Sequence, residues 1–93
     1  MTFTVAALYR FASFDDPAAL RQPLLELCAE QGVMGTLLLA REGVNGTSAG
    51  PEAGISAVLD HIRGLPDCAS LDVKYSTAAD MPFQRIKVRL KKE

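Results

Sequence analysis

Sulfur and imidazole are scarce in this chain. Its one histidine, His61, and its two cysteines, Cys28 and Cys68, form neither a CxxC pair nor any metal-ligand spacing, so no metal site and no disulfide framework is expected. Long apolar runs are missing as well. The longest, Val33 to Ala40, is interrupted by Gly35 and Thr36 and falls far short of the roughly 20 residues that span a bilayer. The first twenty residues carry a single cation, Arg10, followed by Asp15 and Asp16, the wrong layout for a signal peptide. A cytoplasmic protein with no membrane partner is expected. Glycine and proline are modest (7 and 5 residues) and the formal net charge is only −1, which excludes a disordered or collagen-like chain.

What is present is a folding composition: 93 residues with 48% apolar and 23% charged side chains, enough for one small core and too short for two. Residues 1–93 are therefore read as a single domain. Thr2 to Phe11 alternates as a strand, with Phe3, Val5, Ala7, Tyr9 and Phe11 on one side and Thr4, Ala6, Leu8 and Arg10 on the other. Both faces are largely apolar, so this strand is placed inside a sheet rather than at its edge. Asp15 and Asp16 before Pro17 open a helix over 17–31, with a carboxylate cap and a proline in the first turn. Leu20, Leu24, Leu27 and Cys28 keep helical spacing and Gly32 stops it, while Pro23 is expected to kink or restart it. The spacing makes Cys28 a small core residue; Cys68, beside Pro66 and Asp67, has no clear place.

Gly35 to Arg41 reads as a second strand, and Asn45-Gly46 as the type I′ turn of a hairpin leading to a short third strand. Gly50-Pro51-Glu52 opens a second helix with Ile55, Val58, Leu59 and Ile62 as one stripe and His61 on its outer surface, closed by Gly64 and Pro66. Leu71 to Ser76 is a fourth strand with Leu71, Val73 and Tyr75 inward, and Phe83 to Lys91 a long final one with Ile86, Val88 and Leu90 opposite the cations. The order β-α-β-β-α-β plus a terminal strand predicts an α+β, ferredoxin-like fold: a split β-α-β sandwich with an antiparallel sheet and two helices on one face.

Charge is uneven along the chain. Residues 1–73 hold four basic and nine acidic side chains, whereas 74–93 hold six basic and two acidic ones. Arg85, Lys87, Arg89 and Lys91 recur at period two, so on one strand they form a cationic row with about 6.6–6.8 Å between members. Such a row suits a phosphate backbone; it also suits an edge strand that must resist aggregation. No aromatic platform interleaves with the row, so base stacking is not expected from the sequence. A second candidate is the hairpin, where Arg41, Glu42, Gly43, Asn45, Gly46 and Thr47 suit an anion-receiving nest or a loop contacting substrate or partner; the plainer reading is that Gly43 and Gly46 serve turn geometry alone.

Two motifs carry a family resemblance. The run Gly35-Thr36-Leu37-Leu38-Leu39-Ala40-Arg41-Glu42-Gly43-Val44-Asn45-Gly46-Thr47 with Ala49-Gly50 resembles the GTxLLAxEGINGTxAG signature of the rhodanese-like tRNA uridine hydroxylases, with Val44 for isoleucine. Pro82-Phe83, Lys87-Val88 and Lys91-Lys92-Glu93 resemble the same family's PF…KV…KKE segment. The resemblance implies an acylphosphatase-like N-terminal domain, followed in a longer chain by a rhodanese domain whose cysteine serves oxygen-dependent 5-hydroxylation of the wobble uridine of tRNA. The abrupt close on Lys91-Lys92-Glu93 fits an N-terminal part. Neither Cys28 nor Cys68 lies in a rhodanese-type loop, so no catalytic residue and no cofactor is assigned, and the remaining expected tasks are contact with tRNA or positioning of the rhodanese domain. A docking module without RNA contact is the alternative. A stand-alone acylphosphatase is the least favoured reading, because Arg10-Phe11-Ala12-Ser13-Phe14 offers no glycine where that enzyme needs a glycine-rich phosphate loop.

Overall fold

A computed structural model describes residues 2–91; Lys92 and Glu93, which end the second motif, lie outside it. The elements follow in the order β1 (Phe3–Phe11), α1 (Pro17–Glu30), β2 (Met34–Ala40), β3 (Gly43–Gly50), α2 (Glu52–Arg63), β4 (Asp72–Ala78) and β5 (Ile86–Leu90). They build a five-stranded sheet in the order β4-β1-β3-β2-β5. Four strands pair antiparallel, while β5 runs parallel to β2. The sheet is thus mixed rather than antiparallel throughout, because the chain crosses from the β4 edge to the opposite edge before entering β5.

Period two on the strands and 3.6 on the helices select the same face. Ala6 and Leu8 of β1, Leu37 and Leu39 of β2, Val44 of β3 and Val88 of β5 meet Leu24 and Cys28 of α1 and Ile55, Val58, Leu59 and Ile62 of α2 in one buried cluster. Each large aliphatic side chain so buried contributes about 1.5–3 kcal/mol relative to exposure. The predicted stripe of α2 is the buried stripe.

Helix α1 starts where its cap predicts: the Asp16 carboxylate accepts from the Ala19 N–H at 3.3 Å, with Pro17 in the first turn. It then runs unbroken through Pro23. The kink expected there does not interrupt it, since Pro23 and Ala19, the residue whose carbonyl loses its partner, both lie on the exposed side, where solvent satisfies the orphan group.

The hairpin departs further from expectation. Arg41 and Glu42 are the turn, and Asn45 and Gly46 lie inside an eight-residue β3, paired to Leu38 and Leu37 on one side and to Tyr9 and Leu8 on the other. Close backbone approach explains the glycines. A Cβ on Gly46 (φ 150°) would stand 2.2 Å from the Thr36 carbonyl oxygen, and one on Gly43 (φ 145°) 2.0 Å from that of Arg10, so neither position accepts a side chain. The turn is fastened to the end of β1, where the N–H groups of Ala12 and Phe14 donate to Glu42 O (2.8 Å) and Arg41 O (2.9 Å).

Three smaller corrections concern the last strands. β4 begins at Asp72 rather than Leu71, and Tyr75, expected inward, is 59% exposed because β4 is an edge. Regular β5 begins at Ile86 rather than Phe83; pairing with β2 opens just before it, where Arg85 O accepts from the Gly35 N–H. Leu90, expected inward, is 39% exposed at the other edge.

Candidate nucleic-acid interface

The register defines what the uncovered face of the sheet displays. One row crosses all five strands as Asp72, Tyr9, Asn45, Leu38 and Arg89, and the next as Lys74, Ala7, Thr47, Thr36 and Lys87. Both lie opposite the helices, since the intervening positions, Leu8 and Leu37 among them, are core. Lys87 and Arg89 therefore stand side by side on the open face of an edge strand, as period two requires.

The four cations of the row are not equivalent. Lys87 and Arg89 belong to β5 proper, Arg85 precedes it, and Lys91 follows it with its N–H still bonded to Leu39 O at 2.9 Å. The Lys91 ammonium is bonded to the Glu42 carboxylate of the hairpin turn. That hydrogen bond first, and the Lys91 charge second, hold the Glu42 carboxyl below its usual range. Among the described residues no carboxylate lies within 4.0 Å of Arg85, Lys87 or Arg89. Arg85 and Arg89 are thus exposed and Lys87 half-buried, all three without a carboxylate partner among the described residues, while Lys91 is paired with Glu42.

The hairpin candidates separate in space. Arg41 and Glu42 are exposed at the turn and Gly43 is buried; Asn45 and Thr47 open onto the uncovered face, while Gly46 points to the core side. They do not form one loop: Arg41 and Glu42 make the turn, and Gly43 to Thr47 lie in the sheet ladder of β3. Asn45 instead presents its amide in mid-sheet between Tyr9 and Leu38.

Two residues of this face were not anticipated in that role. Tyr9 and Phe11 are 52% and 78% exposed, with ring centroids 6.1 Å apart at 78°. Their cross-strand neighbours on β3 are small or polar, Phe11 opposite Gly43 and Tyr9 opposite Asn45, so both rings are left largely open among the described residues. The alternation of β1 placed both on one side, but only the register across β3 and β2 shows that this is the side of Lys87 and Arg89. By contrast Leu8 and Leu37, on the other side of the same strands, are 3% and 0% exposed and add no apolar area to the open face.

The thiols are out of play. Burial pushes Cys28 up to about 11. Cys68 is also fully buried; burial raises its thiol, with the charges of Arg10 and Asp67 acting in opposite senses. The segment after β1 is closed too. Ser13 N–H donates to the Asp67 carboxylate at 3.3 Å and Arg10 Nε to the Asp67 carbonyl at 2.9 Å. A carboxylate thus sits where a phosphate-binding loop would need open donors, which argues against acyl phosphate chemistry. Among the described residues no cluster of three or more His, Cys, Asp or Glu side chains could hold a metal, and no helix is long and apolar enough to cross a membrane.

This architecture, two helices on one face of a β4-β1-β3-β2 sheet, is that of the acylphosphatase-like α+β proteins. An acylphosphatase from Coxiella burnetii matches with a TM-score of 0.63 at 13% identity, covering 95% of this chain and 93% of that one. A Klebsiella pneumoniae BlrP1 structure matches at 0.72 and 17% identity, over 98% of this chain and 24% of that one. Residues 3–93 match the UPF0176 acylphosphatase-like domain, and the chain belongs to that family. It is similar to the tRNA uridine(34) hydroxylases of Caulobacter vibrioides (63% identity over 99% of this chain and 29% of the relative) and Gluconobacter oxydans (61%, 96% and 28%). The chain therefore spans less than a third of the length of these relatives.

Proposed function

We propose that this chain is the N-terminal accessory domain of a cytoplasmic tRNA uridine(34) hydroxylase and that it holds tRNA through Arg85, Lys87 and Arg89 on the open side of β5. The carrying observation is the pair Lys87 and Arg89, adjacent on one solvated face with no carboxylate partner among the described residues. Guanidinium grips phosphate with paired hydrogen bonds and ammonium acts as a point charge. The identity of over 60% to proteins of that name supports the assignment of the whole. Oxygen-dependent 5-hydroxylation of the wobble uridine then belongs to a following rhodanese domain, since both thiols here are buried.

Titration of labelled tRNA against the 93-residue chain tests this. Two or three phosphate contacts predict affinity falling roughly 12- to 40-fold between about 50 and 200 mM salt, and Lys87→Ala with Arg89→Ala removes most of that dependence. No binding at low salt, or binding indifferent to salt, leaves the domain to dock on its neighbour and refutes the reading.

A further inference from the structure

Exposed aromatic rings on an interior strand are costly to leave in water, and here two stand together. We propose that the open face around Tyr9 and Phe11 is a stacking platform for unpaired RNA nucleotides, whose phosphates continue onto Lys87 and Arg89; this rests on the tRNA reading above.

Several observations converge on it. The rings are 52% and 78% exposed and nearly perpendicular, so a base stacked on Phe11 meets Tyr9 at its edge rather than a second parallel ring. Tyr9, Phe11, Leu38, Asn45 and Lys91 line one shallow depression of about 170 Å³. Asn45, another of its lining residues, offers both a donor and an acceptor, the equipment for a base edge. Across the face, β5 lies three strand spacings from β1, about 14 Å, a span that a few nucleotides of unpaired strand bridge. Charge favours one direction: Glu42 is bonded to Lys91 beside the rings and the single cation of the β4 side, Lys74, stands in the row next to Asp72, whereas Lys87 and Arg89 are adjacent with no carboxylate partner among the described residues, so the phosphates are expected on the β5 side.

The chemistry selects single strands. A duplex hides its base faces and offers only grooves and phosphates, whereas loop nucleotides expose a ring face to an aromatic side chain. A protein occupant of the face would be expected to bring carboxylates to Lys87 and Arg89 rather than rings to Phe11.

The test uses a labelled single-stranded heptaribonucleotide and a duplex of the same length, titrated against the wild-type chain, Phe11→Leu and Tyr9→Leu. Leucine keeps apolar bulk at exposed positions, and an unchanged urea midpoint verifies that folding is intact. The expected result is tighter binding of the single strand, about tenfold weaker for either variant, with the salt dependence and the duplex affinity unchanged. Variants that bind the single strand like wild type overturn the platform while salt-dependent binding of both RNAs keeps the phosphate row. Failure of the wild-type chain to bind either RNA at low salt overturns both. If Phe11→Leu in a chain extended to the relatives' full length lowers stability and leaves RNA affinity alone, the face packs on protein and the proposal falls.

Discussion

Glu42 and Lys91 illustrate how one side chain can set the strength of a surface. Glu42 sits in the hairpin turn and Lys91 just past β5, so the pair joins two segments distant in sequence, and it also removes one cation from the row. An exposed pair of this kind adds little stability. Its larger effect is on binding: Glu42→Gln takes one negative charge off the hairpin turn beside the row, so tRNA affinity at low salt is expected to rise a few-fold, an effect that fades as salt screens it. Unchanged affinity in the same titration would place the hairpin turn outside the interface. Cys28 makes a different prediction. Its thiol ionises near 11 in the fold and near 8.5 when unfolded, so the unfolded state loses its proton first. Stability is therefore untouched below about pH 8.5 and declines as pH rises from there toward 11, by about 2–3 kcal/mol in all. Urea unfolding of wild type and Cys28→Ala between pH 8 and 10.5 should show the steeper decline in wild type; parallel curves would count against a buried thiol.

β5 is the element on which both readings depend, and it is an edge. Its inward groups are those of alternate residues, the Arg85 carbonyl and the Lys91 N–H bonding to β2, so the groups of Val88 point to the free side. There Arg21 of α1 donates from Nε to Val88 O at 2.6 Å. A helix side chain thus closes a strand edge that would otherwise be open to another chain. Arg21→Ala is expected to cost about 1 kcal/mol, the usual worth of such a bond, and to promote self-association at high concentration, read by urea denaturation and sedimentation respectively. A monomeric variant of unchanged stability would assign edge protection to the cations alone. Arg21 was invisible in the sequence, where it read as one polar position on a helix. The elements themselves were legible, because period two and period 3.6 are local: β1, α2 with its stripe, and the cap of α1 all lie where patterning put them. The Asn45-Gly46 turn misled for the opposite reason. That dipeptide is the residue pair a tight turn favours, but β1 and β2 approach β3 so closely at Gly43 and Gly46 that the glycines serve the ladder, and such an approach is a property of three strands together.

At the scale of the molecule, charge is sided. The helix layer carries Glu26, Glu30, Glu52 and Asp60 against Arg21 and Arg63, and of those cations Arg63 is paired with Asp60 at 3.5 Å while Arg21 is committed to Val88. The open face carries Lys74, Lys87 and Arg89 in its cross-strand rows against Asp72. The sequence foreshadowed this as a basic last fifth, but not its layout: the basic segment divides between the two outermost strands, β4 and β5, with the aromatic pair between them. A polyanion approaching such a molecule is steered to the sheet and away from the helices. Covalent footprinting reads that orientation directly. With saturating tRNA at low salt, an amine-reactive label should lose access to Lys87 far more than to Lys74 on the opposite edge, and a dione label should lose Arg89 while still modifying Arg63 on α2. Protection of Arg63 equal to that of Arg89 would mean that tRNA lies across the helical layer, and the open face would then have to be assigned to something other than RNA.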